Sequence, residues 1–264
     1  MTPYRLPSIL EVFQKDQLAI KRVHDLLEEL AKNARCSLAK FVATVDGDPN
    51  RLQVVGTGFW AALDQTPFLV SAHHVIKDFN LTSGGGVVAG DLSWSIARSA
   101  VMSDPVQDIA WVQPSRVEDK DGQDLAKMPA LGIFKSSELI RWHPTSTLLT
   151  IGFPAQLNLL DKRKPKSTIE HYFQYFCHGF EVDEVADEIR YVFESKKCFS
   201  LNPDGRPLKD LPNPEGLSGS PVMMVMYGES EVSMTLALRV VGVAIEWQQI
   251  ERKLVVRRIG DPLV

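Results

Sequence analysis

The chain is poor in cysteine. Only Cys36, Cys177 and Cys198 occur among 264 residues, and none forms a CxxC pair. So odd and sparse a set argues against a disulfide framework, and the expectation is a reducing, cytoplasmic compartment. Long apolar runs are missing too, so no membrane association is expected. The opening residues Met1-Thr2-Pro3-Tyr4-Arg5-Leu6-Pro7 lack the charged-then-apolar pattern of a secretory signal. There is no excess of positive charge. The formal net charge is -4, which removes any global electrostatic case for a nucleic-acid partner. No internal repeat is visible.

What is present suits a globular body. Hydrophobic residues make up 44% and charged residues 23%, and the length allows one large domain or two small ones. Residues 8 to about 32 carry a helical signal. Ser8 and Glu11 fit a capping box, and Ile20, Val23, Leu27 and Leu30 follow helical spacing. The spacing predicts a helix packed on the main body, with a partner-binding helix as the alternative.

From Ser37 the pattern becomes one of short strands divided by turns. Ser37 to Val45, Arg51 to Leu63, Phe68 to Ala72, Leu92 to Met102 and Asp108 to Val112 fit strands in the first half. A polar stretch over 113–135 separates them from Leu148 to Pro154, Glu170 to Phe180, Glu188 to Phe193, Val222 to Met226, Leu236 to Trp247 and Leu254 to Ile259. Strands at this pace predict an all-β sandwich or barrel. The basic run Lys162-Arg163-Lys164-Pro165-Lys166 fits a solvated hairpin tip.

Three short stretches carry chemistry. In Glu215-Gly216-Leu217-Ser218-Gly219-Ser220-Pro221 a serine stands between glycines, which leave room for another chain to approach it. A serine hydroxyl is a weak nucleophile and needs a base. Candidate bases stand at a strand end in Ser71-Ala72-His73-His74-Val75. A candidate carboxylate opens the strand Asp108-Ile109-Ala110, with Asp104 as its rival.

In this order, His then Asp then Ser, the stretches resemble the trypsin-like (chymotrypsin-fold) serine proteases. The texture is most similar to the bacterial HtrA-type branch, without room for a PDZ domain. Gly56-Thr57-Gly58-Phe59 is similar to the strand before that family's histidine. Leu69 to Val75 resembles its L-T-x-x-H-V, Asp108-Ile109-Ala110 its D-[IL]-A, and Gly216 to Pro221 its G-x-S-G-[GS]-P.

The resemblance implies an all-β fold of two antiparallel six-stranded β-barrels with an N-terminal helical extension. Residues 1–36 would form the extension and 37–264 the protease domain, with barrels at about 37–118 and 130–264. It implies a serine endopeptidase in which Ser218 attacks, His74 shuttles the proton and Asp108 orients His74. The backbone N–H groups of Gly216 and Ser218 would hold the oxyanion. Pro212, Glu215, Ile245 and Trp247 would edge the substrate cleft. The expected partner is a protein or peptide substrate, with a regulatory protein acting through the N-terminal helix as a further possibility. No cofactor is implied.

Leu217 departs from the aspartate that many secreted members carry there, so no ion pair with a new N-terminus is expected. A catalytically inactive or latent module that binds a protein partner is the alternative function. His171, Cys177, His178 and Cys198 are the residue types of a candidate metal set. Adjacent Cys177 and His178 on one strand would face opposite ways, so no metal is expected, and the cysteines are expected to be small buried hydrophobes.

Overall fold

A computed structural model describes residues 17–63, 66–81, 86–89, 92–94, 100–113, 130–132, 147–164, 171–177, 180–183, 188–192, 198–199, 211–229 and 234–259. The Ser8–Glu11 capping box, Pro165 and Lys166, His178 and most of the 113–135 connection lie outside them.

Helix α1 covers Gln17–Arg35. Leu27, Ala31 and Ala34 recur at helical spacing and are buried, while Glu28, Glu29 and Lys32 are exposed. Lys32 and Arg35 occupy the last turn, where positive charge complements the carbonyl end of the helix dipole. The apolar face enters the main core cluster beside Phe59, Val70 and Trp111 of one sheet and Leu149, Ile151 and Val243 of the other. The helix is therefore built into the core that joins the two sheets.

The first sheet contains β1 (Leu38–Val45), β2 (Asp48–Leu63), β3 (Thr66–Ala72), β4 (Gly86–Ala89), β5 (Leu92–Trp94), β6 (Ala100–Asp104) and β7 (Ile109–Gln113). Their order is β5-β4-β1-β2-β3-β7-β6, and β8 (Leu131–Gly132) and β10 (Leu159–Asp161) also pair with β2. The second sheet adds β9 (Leu148–Gly152), β11 (Phe173–Cys177), β12 (Glu181–Asp183), β13 (Glu188–Val192), β14 (Cys198–Phe199), β15 (Pro221–Glu229), β16 (Met234–Gln248) and β17 (Lys253–Arg258). Its order is β12-β13-β17-β16-β15-β9-β11-β14.

The all-β expectation holds, with two sheets that are antiparallel except where β8 pairs with β2 in parallel. The described strands number nine and eight rather than six and six, and neither sheet closes on itself among the described residues. The 16-residue β2 explains part of the excess, being long enough to pair with β1, β3, β8 and β10. Two of these partners, at 131–132 and 159–161, come from beyond the first half as the sequence divides it.

Between β3 and β4 the structure has a helix that the strand pattern did not suggest. Helix α2 is His73–Leu81. Its Val75, Ile76 and Phe79 are buried, and Phe79 meets Phe41 edge-on with ring centroids 5.4 Å apart. Burying side chains of this size contributes about 1.5–3 kcal/mol each, which fixes where the first turn of α2 stands.

One expectation fails in the second sheet. Cys177 is disulfide-bonded, and the β11–β14 register sets Cys198 opposite it. Cross-strand register, invisible in the spacing of three cysteines, brings the two positions together. Cys36 is free and exposed. Among the described residues no helix is long and apolar enough to cross a membrane.

Candidate active site

The histidine and the acid meet because their strands are neighbours. Ala72 at the end of β3 pairs with Ile109 at the start of β7. The residues just beyond, His73 and Asp108, are therefore juxtaposed. The His73 N–H donates to the Asp108 carbonyl at 3.0 Å. The His74 N–H donates to Asp108 Oδ1 at 2.9 Å, and His74 Nδ1 lies 2.7 Å from Asp108 Oδ2. The carboxylate thus sits at the first turn of α2, where unpaired helix amides favour an anion. Asp108 reaches it with a left-handed backbone, φ 54°, which aspartate tolerates better than most residues.

This double grip has an electrostatic consequence. The hydrogen bond to Asp108 raises the His74 pKa above its ordinary value, burial opposes the rise, and the charges of Asp108, Asp78 and Glu246 reinforce it. An Nδ1–H held by the carboxylate leaves Nε2 as the free basic position. The His74 side chain keeps 42% of its surface exposed. Asp104, the rival acid, is occupied elsewhere. Its Oδ1 accepts from the N–H groups of Val106 and Gln107 at 2.9 and 3.0 Å and holds the turn before β7.

The serine segment is pinned from both sheets. The Ser218 carbonyl accepts from the Thr57 N–H on β2 at 2.8 Å. On the other side, Ala155 N–H donates to the Glu215 carbonyl at 2.8 Å and Gly219 N–H to the Ala244 carbonyl at 2.7 Å. Gly219 has φ 87°, and a Cβ there would stand 1.9 Å from the Thr57 carbonyl oxygen and 2.1 Å from Ser71 Oγ. Only glycine lets the chain pass so close. Ser71 is three residues before His74, so this contact sets the serine segment against the strand that leads into the histidine.

The amides of the segment alternate. Leu217 N–H donates to the Pro214 carbonyl at 3.0 Å, Gly219 to Ala244, and Ser220 to Leu217 at 2.8 Å. The N–H groups of Gly216 and Ser218 have no hydrogen-bond acceptor among the described residues. The plane of the 215–216 peptide is fixed by the Ala155 bond to its carbonyl, so the Gly216 N–H points the opposite way.

Ser218 Oγ donates to the Ile245 carbonyl at 3.2 Å. Ile245 sits at an irregularity in β16, where the register with β17 passes from Ala244 to Glu246. Serine, Gly216 and Ile245 are thus brought together, and the imidazole is not the hydroxyl's partner in this conformation. The other expected cleft residues make contacts of their own. The Pro212 carbonyl accepts from Tyr175 Oη at 3.2 Å, Glu215 is exposed, and Trp247 packs against the third core cluster.

Sequence reasoning passed over Thr57 as a site residue. It is fully buried and contacts both flanks of Ser218. A hydroxyl between two glycines inside an apolar strand was the available signal. Among the described residues no three His, Cys, Asp or Glu side chains stand together as a metal would require.

The chain matches no protein-family model and no curated protein. It is similar to solved structures. One is the serine protease domain of the Sesbania mosaic virus polyprotein, at 16% identity over 84% of this chain and 86% of that one, with a TM-score of 0.43. Another is the tobacco vein mottling virus protease, at 8% identity over 87% and 79%, with a TM-score of 0.48. A third is an inactive serine-to-alanine mutant of a protein from M. tuberculosis H37Rv, at 15% identity over 88% and 87%, with a TM-score of 0.44. Likenesses this distant assign no activity to this chain.

Proposed function

We propose that the chain is a serine endopeptidase that works through Ser218, His74 and Asp108. The observation that carries this reading is the pair of amides at Gly216 and Ser218 that find no acceptor among the described residues, in a segment whose other amides are bonded. Two N–H groups held without an acceptor are what a developing oxyanion needs, and each such donor is typically worth about 2.7–4 kcal/mol in the transition state. The His74–Asp108 pair supplies a base of raised pKa with its Nε2 free.

In the reaction, Ser218 Oγ bonds the carbonyl carbon of a peptide as its proton passes to His74 Nε2. The oxyanion lies on the Gly216 and Ser218 amides. The C–N bond then breaks, with the proton delivered to the leaving amine. Water, activated by the same imidazole, hydrolyses the acyl-enzyme and regenerates the serine. For this, the Ser218 hydroxyl must turn from the Ile245 carbonyl toward His74. A side-chain rotation of that kind occurs in roughly ps–ns at exposed sites. The substrate class is a peptide or protein. The disulfide at Cys177 favours an oxidising compartment over the cytoplasmic one expected from cysteine counting.

The second reading is a latent or inactive module of the same fold. It draws on the Ser218 hydroxyl bonding Ile245 instead of the imidazole. A fluorophosphonate probe separates the two. The peptidase reading expects covalent labelling of the wild-type chain that disappears in Ser218→Ala. Folded wild-type protein that stays unlabelled would count for the module.

A further inference from the structure

Thr57 lies in β2 between Gly56 and Gly58 and is completely buried. Each of its polar groups is engaged, and each reaches a different part of the site. Its N–H donates to the Ser218 carbonyl at 2.8 Å. Its carbonyl accepts from the Ser71 hydroxyl at 2.7 Å. Its Oγ1 accepts from the Phe153 N–H at 3.1 Å and donates to the Gly216 carbonyl at 3.3 Å.

Peptide units are planar, so a bonded carbonyl fixes the whole unit. Thr57 therefore holds two planes, the 216–217 unit through its hydroxyl and the 218–219 unit through its N–H. These bracket the 217–218 unit, which carries the Ser218 amide. The main-chain bond is open to any residue except proline. The hydroxyl bond is specific to this side chain, and it acts where restraint is most needed. Gly216 has φ 89° and no Cβ, so the 216–217 unit is free to turn at that end, and the hydroxyl bond to its carbonyl joins the bond from its Leu217 N–H to the Pro214 carbonyl in holding it. The Phe153 N–H, donating to the same hydroxyl, fixes which way the hydroxyl proton points.

We propose that Thr57 is a positioning residue whose hydroxyl, oriented by the Phe153 amide, holds the Gly216 and Ser218 amides in the arrangement that receives the oxyanion. This rests on the peptidase reading and adds to it a residue that never touches substrate. The purely architectural alternative is that Thr57 only stitches β2 to the serine segment. That role would change stability and leave the chemistry of the folded protein untouched.

The test compares the full-length wild-type chain with Thr57→Val and Thr57→Ser in their reaction with a fluorophosphonate, well below each melting temperature. In this reaction Ser218 Oγ bonds phosphorus, the P–F bond breaks, fluoride leaves and His74 takes the hydroxyl proton. The limiting rate constant and the half-saturating probe concentration are measured separately. Thr57→Val keeps the shape and removes the hydroxyl. We expect its limiting rate constant to fall roughly tenfold or more with the half-saturating concentration unchanged, and Thr57→Ser to stay within about twofold of wild type.

If Thr57→Val does not fold, Thr57→Ala is held to the same criterion. Hydroxyl-lacking variants that react at the wild-type rate would overturn the proposal, as would equal losses in the valine and serine variants. A wild-type chain that does not react would overturn the peptidase reading, and this proposal with it.

Discussion

Replacing Asp108 by asparagine removes one charge and little else. The backbone at residue 108 is left-handed, φ 54°, a region that asparagine enters as readily as aspartate. The amide oxygen can still accept from the His74 N–H, which now binds Oδ1 at 2.9 Å. The second contact is the one that fails. An amide NH₂ facing Nδ1, in place of the carboxylate oxygen at 2.7 Å, requires an unprotonated Nδ1 and so puts the ring proton on Nε2. That nitrogen could no longer accept the serine proton.

The charge lost also stabilised the imidazolium. Two unit charges about 4 Å apart near a protein surface interact by about 4 kcal/mol, close to a thousandfold in rate. The 42% exposure of the His74 side chain screens part of this. The wrong tautomer works the other way, and in a well-studied triad the same change costs about 10⁴. We therefore expect Asp108→Asn to lower peptide hydrolysis by roughly 10²–10⁴ with the melting temperature little changed. The pH profile supplies a second check. Because the bond to Asp108 is the main cause of the raised His74 pKa, the acid limb of the variant should move to lower pH. Activity within about tenfold of wild type, with an unmoved acid limb, would refute the reasoning.

Gly219→Ala would force a Cβ to within 1.9 Å of the Thr57 carbonyl oxygen in a left-handed backbone. The conformation alone costs about 1–2 kcal/mol, so urea denaturation should show at least that loss, and a change under about 0.5 kcal/mol would contradict the packing described. His74 has a raised pKa in the folded chain, so its contribution to stability is complete below an unfolded value of about 6.5 and fades as pH rises through the folded value. The stability lost in His74→Gln should therefore be larger at acid pH than at alkaline pH, and a loss that grows with pH would go against the assignment. Iodoacetamide should modify Cys36 alone before reduction and all three cysteines after it, as intact mass would show. Modification of three cysteines without reductant would remove the disulfide.

The parts of this molecule legible in the sequence were those set by local pattern. Phe68 to Ala72 and Asp108 to Val112 showed as strands because apolar β-branched and aromatic residues crowd there. The pairing of their ends brings His74 to Asp108. Helix α2 was not legible: it follows β3 with no intervening turn residue, and its buried Val75, Ile76 and Phe79 are too short a pattern to separate from the strand. The bond from Ser218 to the Ile245 carbonyl depends on an irregular register between β16 and β17, which no local pattern encodes. The same holds for Cys177 and Cys198, placed opposite each other by strands joined through twenty intervening residues. Thr57 was visible as a residue but not as a clamp, because its partners Ser218, Gly216 and Phe153 lie about a hundred or more positions away.

The most direct measurement is a map of the covalent intermediate. The chain would be mixed with an activated peptide ester, quenched in acid within the burst, digested and analysed by mass spectrometry. The account predicts one acyl group, on the peptide containing Ser218, absent when His74 is replaced by alanine. An acyl group on another nucleophile, or none on a folded chain, would contradict it.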